Sequence, residues 1–200
     1  MSKRLIVIPC WGCTPTSNWY PWLQQELEAT KLQPFNPVVV ADMPNPVLPT
    51  IPAWVGHVKE LLGSDPVQAA RTVFVGHSVG CQAVLRTLAE LPEGLHLWGM
   101  LCVAGWFWTD APWESLLPWI ETPFDLDKVR SSAGQQIIVL LSNNDRHTSD
   151  WQANRKAWQD RLGAKVVIVP GANHFNGDQY PIILQTLLDN FATDEILQGD

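Results

Sequence analysis

A serine, an aspartate and a histidine, met in that order along the chain, carry the chemistry this sequence can perform. Ser78 is the centre of Gly76-His77-Ser78-Val79-Gly80. The pentapeptide follows a β-branched run, Arg71-Thr72-Val73-Phe74-Val75, and opens a helix-patterned segment from Val79 to Leu91. That context predicts a nucleophile elbow, a sharp strand-to-helix turn that projects the serine Oγ above a sheet edge. So tight a turn requires that the residues two before and two after the serine lack side chains, hence Gly76 and Gly80. The helix N-terminus at Val79 also brings unpaired N–H groups to the place where negative charge would build.

A serine hydroxyl is a poor nucleophile until a base takes its proton. His174, in the loop Gly171-Ala172-Asn173-His174-Phe175-Asn176-Gly177 after the last apolar run, is placed to be that base. Asp145, in Ser142-Asn143-Asn144-Asp145 after the penultimate run, is placed to hold the other imidazole nitrogen. For the developing oxyanion, Val79 offers one backbone N–H and Trp11, after the first run, offers a second. Taken singly, each residue has a plainer account: a glycine-rich turn, a loop histidine, an aspartate capping a turn. Three of them in this order on one sheet edge favour catalysis. Asp150, the rival acid, reads as the N-cap of the following helix. The other histidines read as incidental: His77 is expected to point away from a substrate, His57 lies within a helical pattern, His96 precedes a strand and His147 is expected at a rim. No two histidines have metal-ligand spacing on one element, so neither metal nor cofactor is expected.

These residues need a scaffold that delivers them to one edge, and the chain alternates accordingly. Near-continuous aliphatic runs at Leu5–Ile8, Val38–Ala41, Thr72–Val75, Gly99–Val103, Gln136–Leu141 and Lys165–Val169 read as strands covered on both faces. Helical patterns fit Trp19–Ala29, Ala53–Leu62, Val79–Leu91, Leu126–Ser132, Trp151–Leu162 and Gln179–Phe191. The expectation is one α/β domain over 1–200, a doubly wound, mostly parallel six-stranded sheet. Ligands of such sheets bind beyond the C-terminal strand ends. The segment 105–124, with Trp106, Phe107, Trp108, Trp113 and Trp119 among three prolines, is too long and too apolar for a free loop. It reads as a small cap, with Trp106, Phe107 and Trp108 as candidate walls of a substrate pocket.

Composition excludes other classes. The formal net charge is −7, from 13 basic and 20 acidic residues, without a basic cluster, which argues against nucleic acid. No apolar run reaches bilayer length, so no membrane association is expected. The four cysteines, with no secretion signal ahead of them, imply a cytoplasmic location and no structural disulfides.

Taken together, the chain resembles the small serine hydrolases of the retinoblastoma-binding protein nine type, a compact branch of the α/β-hydrolase superfamily. The resemblance runs nearly end to end. It rests on Asn18-Trp19-Tyr20-Pro21-Trp22, on Asp42-Met43-Pro44-Asn45-Pro46, on the elbow, on the Asn-Asp acid loop and on His174-Phe175-Asn176. It implies a cofactor-free hydrolase of esters or small amides with Ser78, Asp145 and His174 as triad. Cys10, Asn173 and Arg146 depart from the residues usual at their places. Two rival functions stand beside it. One is a silent hydrolase-fold binding scaffold. The other is dithiol redox chemistry at Cys10-Trp11-Gly12-Cys13, which Thr14 to Ser17 separate from the first helix.

Overall fold

The six apolar runs form six strands: β1 (Lys3–Ile8), β2 (Phe35–Val40), β3 (Thr72–His77), β4 (Gly99–Val103), β5 (Ile137–Ser142) and β6 (Lys165–Val169). This computed structural model describes residues 2–193, so residues 1 and 194–200 of the expected domain lie outside it. The sheet order is β2-β1-β3-β4-β5-β6, and each neighbouring pair is parallel. Between β1 and β3 the chain reverses its direction of travel across the sheet, which makes this the switch point. Register places Ile8 beside Gly76 and His77 beside Val103, so the loops leaving β1, β3 and β4 emerge together.

The alternation of side chains explains why the runs are apolar throughout. Ile6, Ile8, Phe74, Met100, Cys102, Val139 and Leu141 enter one core. Their neighbours Leu5, Val7, Val73, Val75, Leu101, Val103 and Leu140 enter the other. The first core is closed by α2 (Ile51–Leu62), the four-residue α3 (Pro66–Ala69), α4 (Val79–Ala89), α6 (Leu126–Ser132) and α7 (Trp151–Leu162). The second is closed by α1 (Tyr20–Ala29) and α8 (Pro181–Phe191). A parallel sheet sandwiched in this way has no wet face.

Some boundaries differ from the expected ones. β2 begins at Phe35 and runs through Pro37, which an edge strand accommodates because its outer side needs no ladder bond. Prolines occupy the first turns of α1, α2 and α8, where a missing donor costs little. Segment 105–124 holds a 3-10 turn (Glu114–Leu116) and a short helix, α5 (Leu117–Glu121). It is fastened to α4, whose Gln82 and Arg86 donate to the carbonyls of Trp106 and Trp119. The indole N–H of Trp119 bonds Pro49 O at 3.2 Å.

α4 begins in backbone contact with the end of β1. A Cβ on Gly80 would stand 2.3 Å from the Ile8 carbonyl oxygen and 2.7 Å from that of Pro9. Neither oxygen can retreat without shifting the strand. Gly80→Ala is therefore expected to lose at least ~2–3 kcal/mol of unfolding free energy. Urea denaturation measures it, and a loss below half that size would mean the elbow is looser than its geometry implies.

Candidate active site

The elbow forms as its sequence requires. Ser78 has φ 54° and ψ −118°, a backbone region that side chains rarely adopt and that is held only by its surroundings. Its N–H donates to Val103 O at 2.9 Å, tying the turn to β4. A Cβ on Gly76 would meet the Cys81 backbone at 2.7 Å, so both flanking glycines are sterically demanded.

The three expected residues converge. Ser78 Oγ lies 2.9 Å from His174 Nε2, and His174 Nδ1 lies 2.6 Å from Asp145 Oδ2. Asp145 Oδ1 accepts the His147 amide at 2.9 Å. With Nδ1–H donated to the carboxylate, Nε2 is left to accept the Ser78 proton: a triad-like arrangement. Burial pushes the Asp145 carboxyl up, but the bonds and charge from His174 and the His147 amide outweigh it and hold the group below its ordinary 3.8. Burial likewise lowers His147, aided by His174.

The base loop is braced by the acid loop. Asn144 Nδ2 donates to Asn173 Oδ1 at 2.9 Å, and Asn173 N–H returns to Asn144 Oδ1 at 2.9 Å. Asn143 Oδ1 accepts from Gly171 N–H at 3.0 Å. Asn173 has φ 51°, the left-handed conformation that asparagine tolerates better than most residues. Asp150, as expected, is spent as the N-cap of α7, accepting Ala153 N–H at 2.9 Å.

A cavity of about 460 Å³ opens over Ser78 and His174. Its walls include Trp11, Trp106, Trp113 and Leu116, with Arg146 and His147 at one side. Of the expected pocket aromatics, Trp106 faces it, but Phe107 and Trp108 do not. Phe107 turns into the first core, 4.9 Å from the Trp158 ring, and lines a separate cavity. Trp108 packs against the same core, its carbonyl taken by Asn154. The β4 exit turns after Trp106, so three consecutive residues cannot share one wall. Trp113, whose ring lies 5.0 Å from Trp11, supplies the aromatic that the sequence did not single out. The Trp106 indole N–H points at Ser78 Oγ, 3.4 Å away. Among the described residues, the amides of Trp11 and Val79 donate to no protein acceptor.

Two findings overturn expectations. Cys10 and Cys13 form a disulfide at the cavity wall. Cys13 N–H donates to Cys10 O at 3.1 Å and Gly12 has φ 72°, so a local turn brings the thiols into bonding range. An argument from compartment is blind to that turn. The pair follows β1 rather than starting a helix, and Cys81 and Cys102 are free and buried. His77, taken as incidental, does point away from the cavity. It is fully buried and bonded to Tyr20 and to the His174 carbonyl. Among the described residues no group of three or more His, Cys, Asp or Glu side chains is placed to hold a metal ion. Among those residues, too, no helix is long and apolar enough to cross a membrane.

Comparison with known proteins identifies a family. A family model described as serine hydrolase matches residues 5–185. The protein YdeN of Bacillus subtilis (strain 168) is 26% identical over 196 residues, spanning 96% of this chain and 98% of YdeN. The crystal structure of the ydeN gene product superposes with a TM-score of 0.82 at 24% identity, covering 96% of this chain and 100% of that one. A YdeN-like protein from Pectobacterium atrosepticum gives 0.68 at 18% identity over 96% of this chain and 91% of its own. Carboxylesterase CesB from Bacillus subtilis gives 0.59 at 13%, over 97% and 85%. At such identities the structural likenesses speak for the fold alone.

Two expectations follow from the site. Trp106→Phe keeps the ring and removes the N–H aimed at Ser78. A neutral hydrogen bond is worth about 0.5–1.5 kcal/mol, so kcat for an activated ester falls ~3–10-fold. Steady-state kinetics reads this, and an unchanged kcat would leave Trp106 a wall only. The second concerns acid. Burial holds His77 neutral, its pKa pushed from 6.5 to about 3. Below 6.5 the unfolded chain takes up a proton that the folded chain refuses, so stability is full above that value and declines towards 3. The slope is about 1.4 kcal/mol per pH unit, or ~2 kcal/mol between pH 6.5 and 5. Urea titrations across that range test it, and His77→Gln flattens this component.

Proposed function

This chain belongs to the serine hydrolase family, and from that premise we propose that it cleaves carboxylic esters or small amides through an acyl-enzyme. Ser78 is the nucleophile, His174 the general base and then acid, and Asp145 the carboxylate that fixes its tautomer and balances the imidazolium. The observation that carries the reading is the unbroken pair of hydrogen bonds from Ser78 Oγ to His174 and from His174 to Asp145, 2.9 Å and 2.6 Å long. In the first step Oγ attacks the carbonyl carbon while its proton passes to Nε2. The oxyanion settles between the amides of Trp11 and Val79, which donate to no protein acceptor among the described residues, as that role requires. His174 then protonates the leaving oxygen or nitrogen as the acyl-enzyme forms. Water, activated by the same imidazole, releases the acid.

The residues 105–124 serve in this reading as a small cap, and Trp106 with Trp11 and Trp113 as the apolar wall for an acyl or leaving group. Phe107 and Trp108 take no part in it. Among the described residues the cavity lining holds one arginine, Arg146, and no carboxylate. Neutral and anionic esters therefore suit it better than cationic ones.

A fluorophosphonate probe tests the nucleophile directly: wild type is expected to label and Ser78→Ala to remain unlabelled. With p-nitrophenyl esters, Ser78→Ala and His174→Ala are each expected to lose at least ~10⁴-fold in kcat, with the double variant little worse than either. Asp145→Asn is expected to lose about 10³–10⁴-fold, because the tautomer reverses. Near-wild-type turnover in His174→Ala removes the triad assignment.

A further inference from the structure

The ring beside the nucleophile has no part in the triad, yet it is joined by hydrogen bonds to the loop after β1 and to the loop that carries His174. His77 Nε2 lies 2.9 Å from the carbonyl oxygen of His174. A carbonyl only accepts, so Nε2 carries the proton. The ring is completely buried, which favours its neutral form, so Nδ1 is bare. Tyr20 Oη stands 2.7 Å from Nδ1 and donates its proton there. The same Oη accepts the amide of Cys10 at 3.0 Å. One directed set of bonds thus runs from Cys10 N–H, through Tyr20 and His77, to His174 C=O. The other tautomer would set a bare nitrogen against the carbonyl.

We propose that His77 is a positioning residue that locks the elbow, the loop after β1 and the base loop into one spacing. The proposal rests on the triad reading above. Its need is visible in the backbone. His174 stands between Asn173 at φ 51° and Phe175 at φ 56°, both in a region that side chains disfavour. Such a loop keeps its shape only where its surroundings restrain it. Asn144 restrains it at Asn173, and His77 restrains it at the carbonyl of the base itself. At the other end, the bond from the Cys10 N–H to Tyr20 holds the residue just before Trp11, which lines the cavity. Because His77 directly precedes Ser78, the three loops move together or not at all.

The test separates positioning from simple support. His77→Leu removes both bonds, whereas His77→Gln keeps an acceptor for Tyr20 and a donor for the His174 carbonyl. For a p-nitrophenyl ester, His77→Leu is expected to lose ~10–100-fold in kcat with KM within about two-fold, the scale of a displacement near 1 Å. His77→Gln is expected to recover most of that loss. Tyr20→Phe, which breaks one end only, is expected to lose ~3–10-fold, and it carries the test if His77→Leu does not fold. The low-field proton resonance between His174 Nδ1 and Asp145 is the second readout, displaced in His77→Leu and retained in His77→Gln. If wild type labels with fluorophosphonate and a folded His77→Leu keeps wild-type kcat, the proposal falls and the hydrolase reading stands. A glutamine variant no better than leucine also overturns it. If wild type neither labels nor turns over, the hydrolase reading falls instead. The resonance then decides alone, and an unmoved signal in His77→Leu overturns the positioning role.

Discussion

The contact on which this structure depends is the one between the start of α4 and the end of β1. Gly80 passes so close to the Ile8 and Pro9 carbonyls that no side chain fits between them. Two backbones in van der Waals contact cannot slide independently, because close-packed interiors transmit small shifts rather than absorb them. The elbow is consequently built against the loop that follows β1, and Val79 and Trp11 line the same cavity. The elbow's other restraint comes from β4, through the bond between Ser78 N–H and Val103 O. Three central strands therefore set the position of Ser78 before the side chains of Asp145 and His174 are considered.

Much of this was legible in the sequence because it follows from local rules. Six aliphatic runs separated by helical patterns specify a sheet covered on both faces, and Gly76 and Gly80 mark the turn that only a close approach explains. The order Ser78, Asp145, His174 was readable because each lies at the C-terminal end of a run, and parallel strands deliver such ends to one edge. What escaped was set by distant contacts. Trp113 reaches the cavity only because its segment folds back towards Trp11, and Phe107 leaves it because α7 presents Trp158. The Cys10–Cys13 pairing depends on a turn whose shape Gly12 and the Pro46 carbonyl impose. His77 escaped for a related reason. Its place inside the elbow implies an orientation away from the substrate, and that orientation alone reads as incidental.

The electrostatics of the site divide between a charge and a neutral ring, and burial alone would favour neutrality in both. Asp145, 3% exposed, keeps its charge because two N–H donors converge on its oxygens. His77 has no such donors. It meets a carbonyl on one nitrogen and a hydroxyl on the other, a pairing that a neutral imidazole satisfies completely. The same low-dielectric setting that makes an unpaired group costly thus makes each protonation state unambiguous.

Three residues near the reacting atoms, Ser78, Asn173 and Phe175, share positive φ angles outside glycine. Each conformation costs on the order of 1–3 kcal/mol and survives only where neighbours over-determine it. The restraints are specific. Ser78 is held by packed glycine turns and β4, Asn173 by its reciprocal bonds to Asn144, and Phe175 by the bond from its N–H to Ala172 O and by burial against Tyr180. Tyr20, the partner of His77, sits in the core closed by α1 and α8, the core that also holds Phe175. The packing that stabilises the domain is therefore the same packing that keeps the base loop strained. In this fold a substitution in that second core bears on the placement of His174 as well as on stability, because no separate framework stands between them.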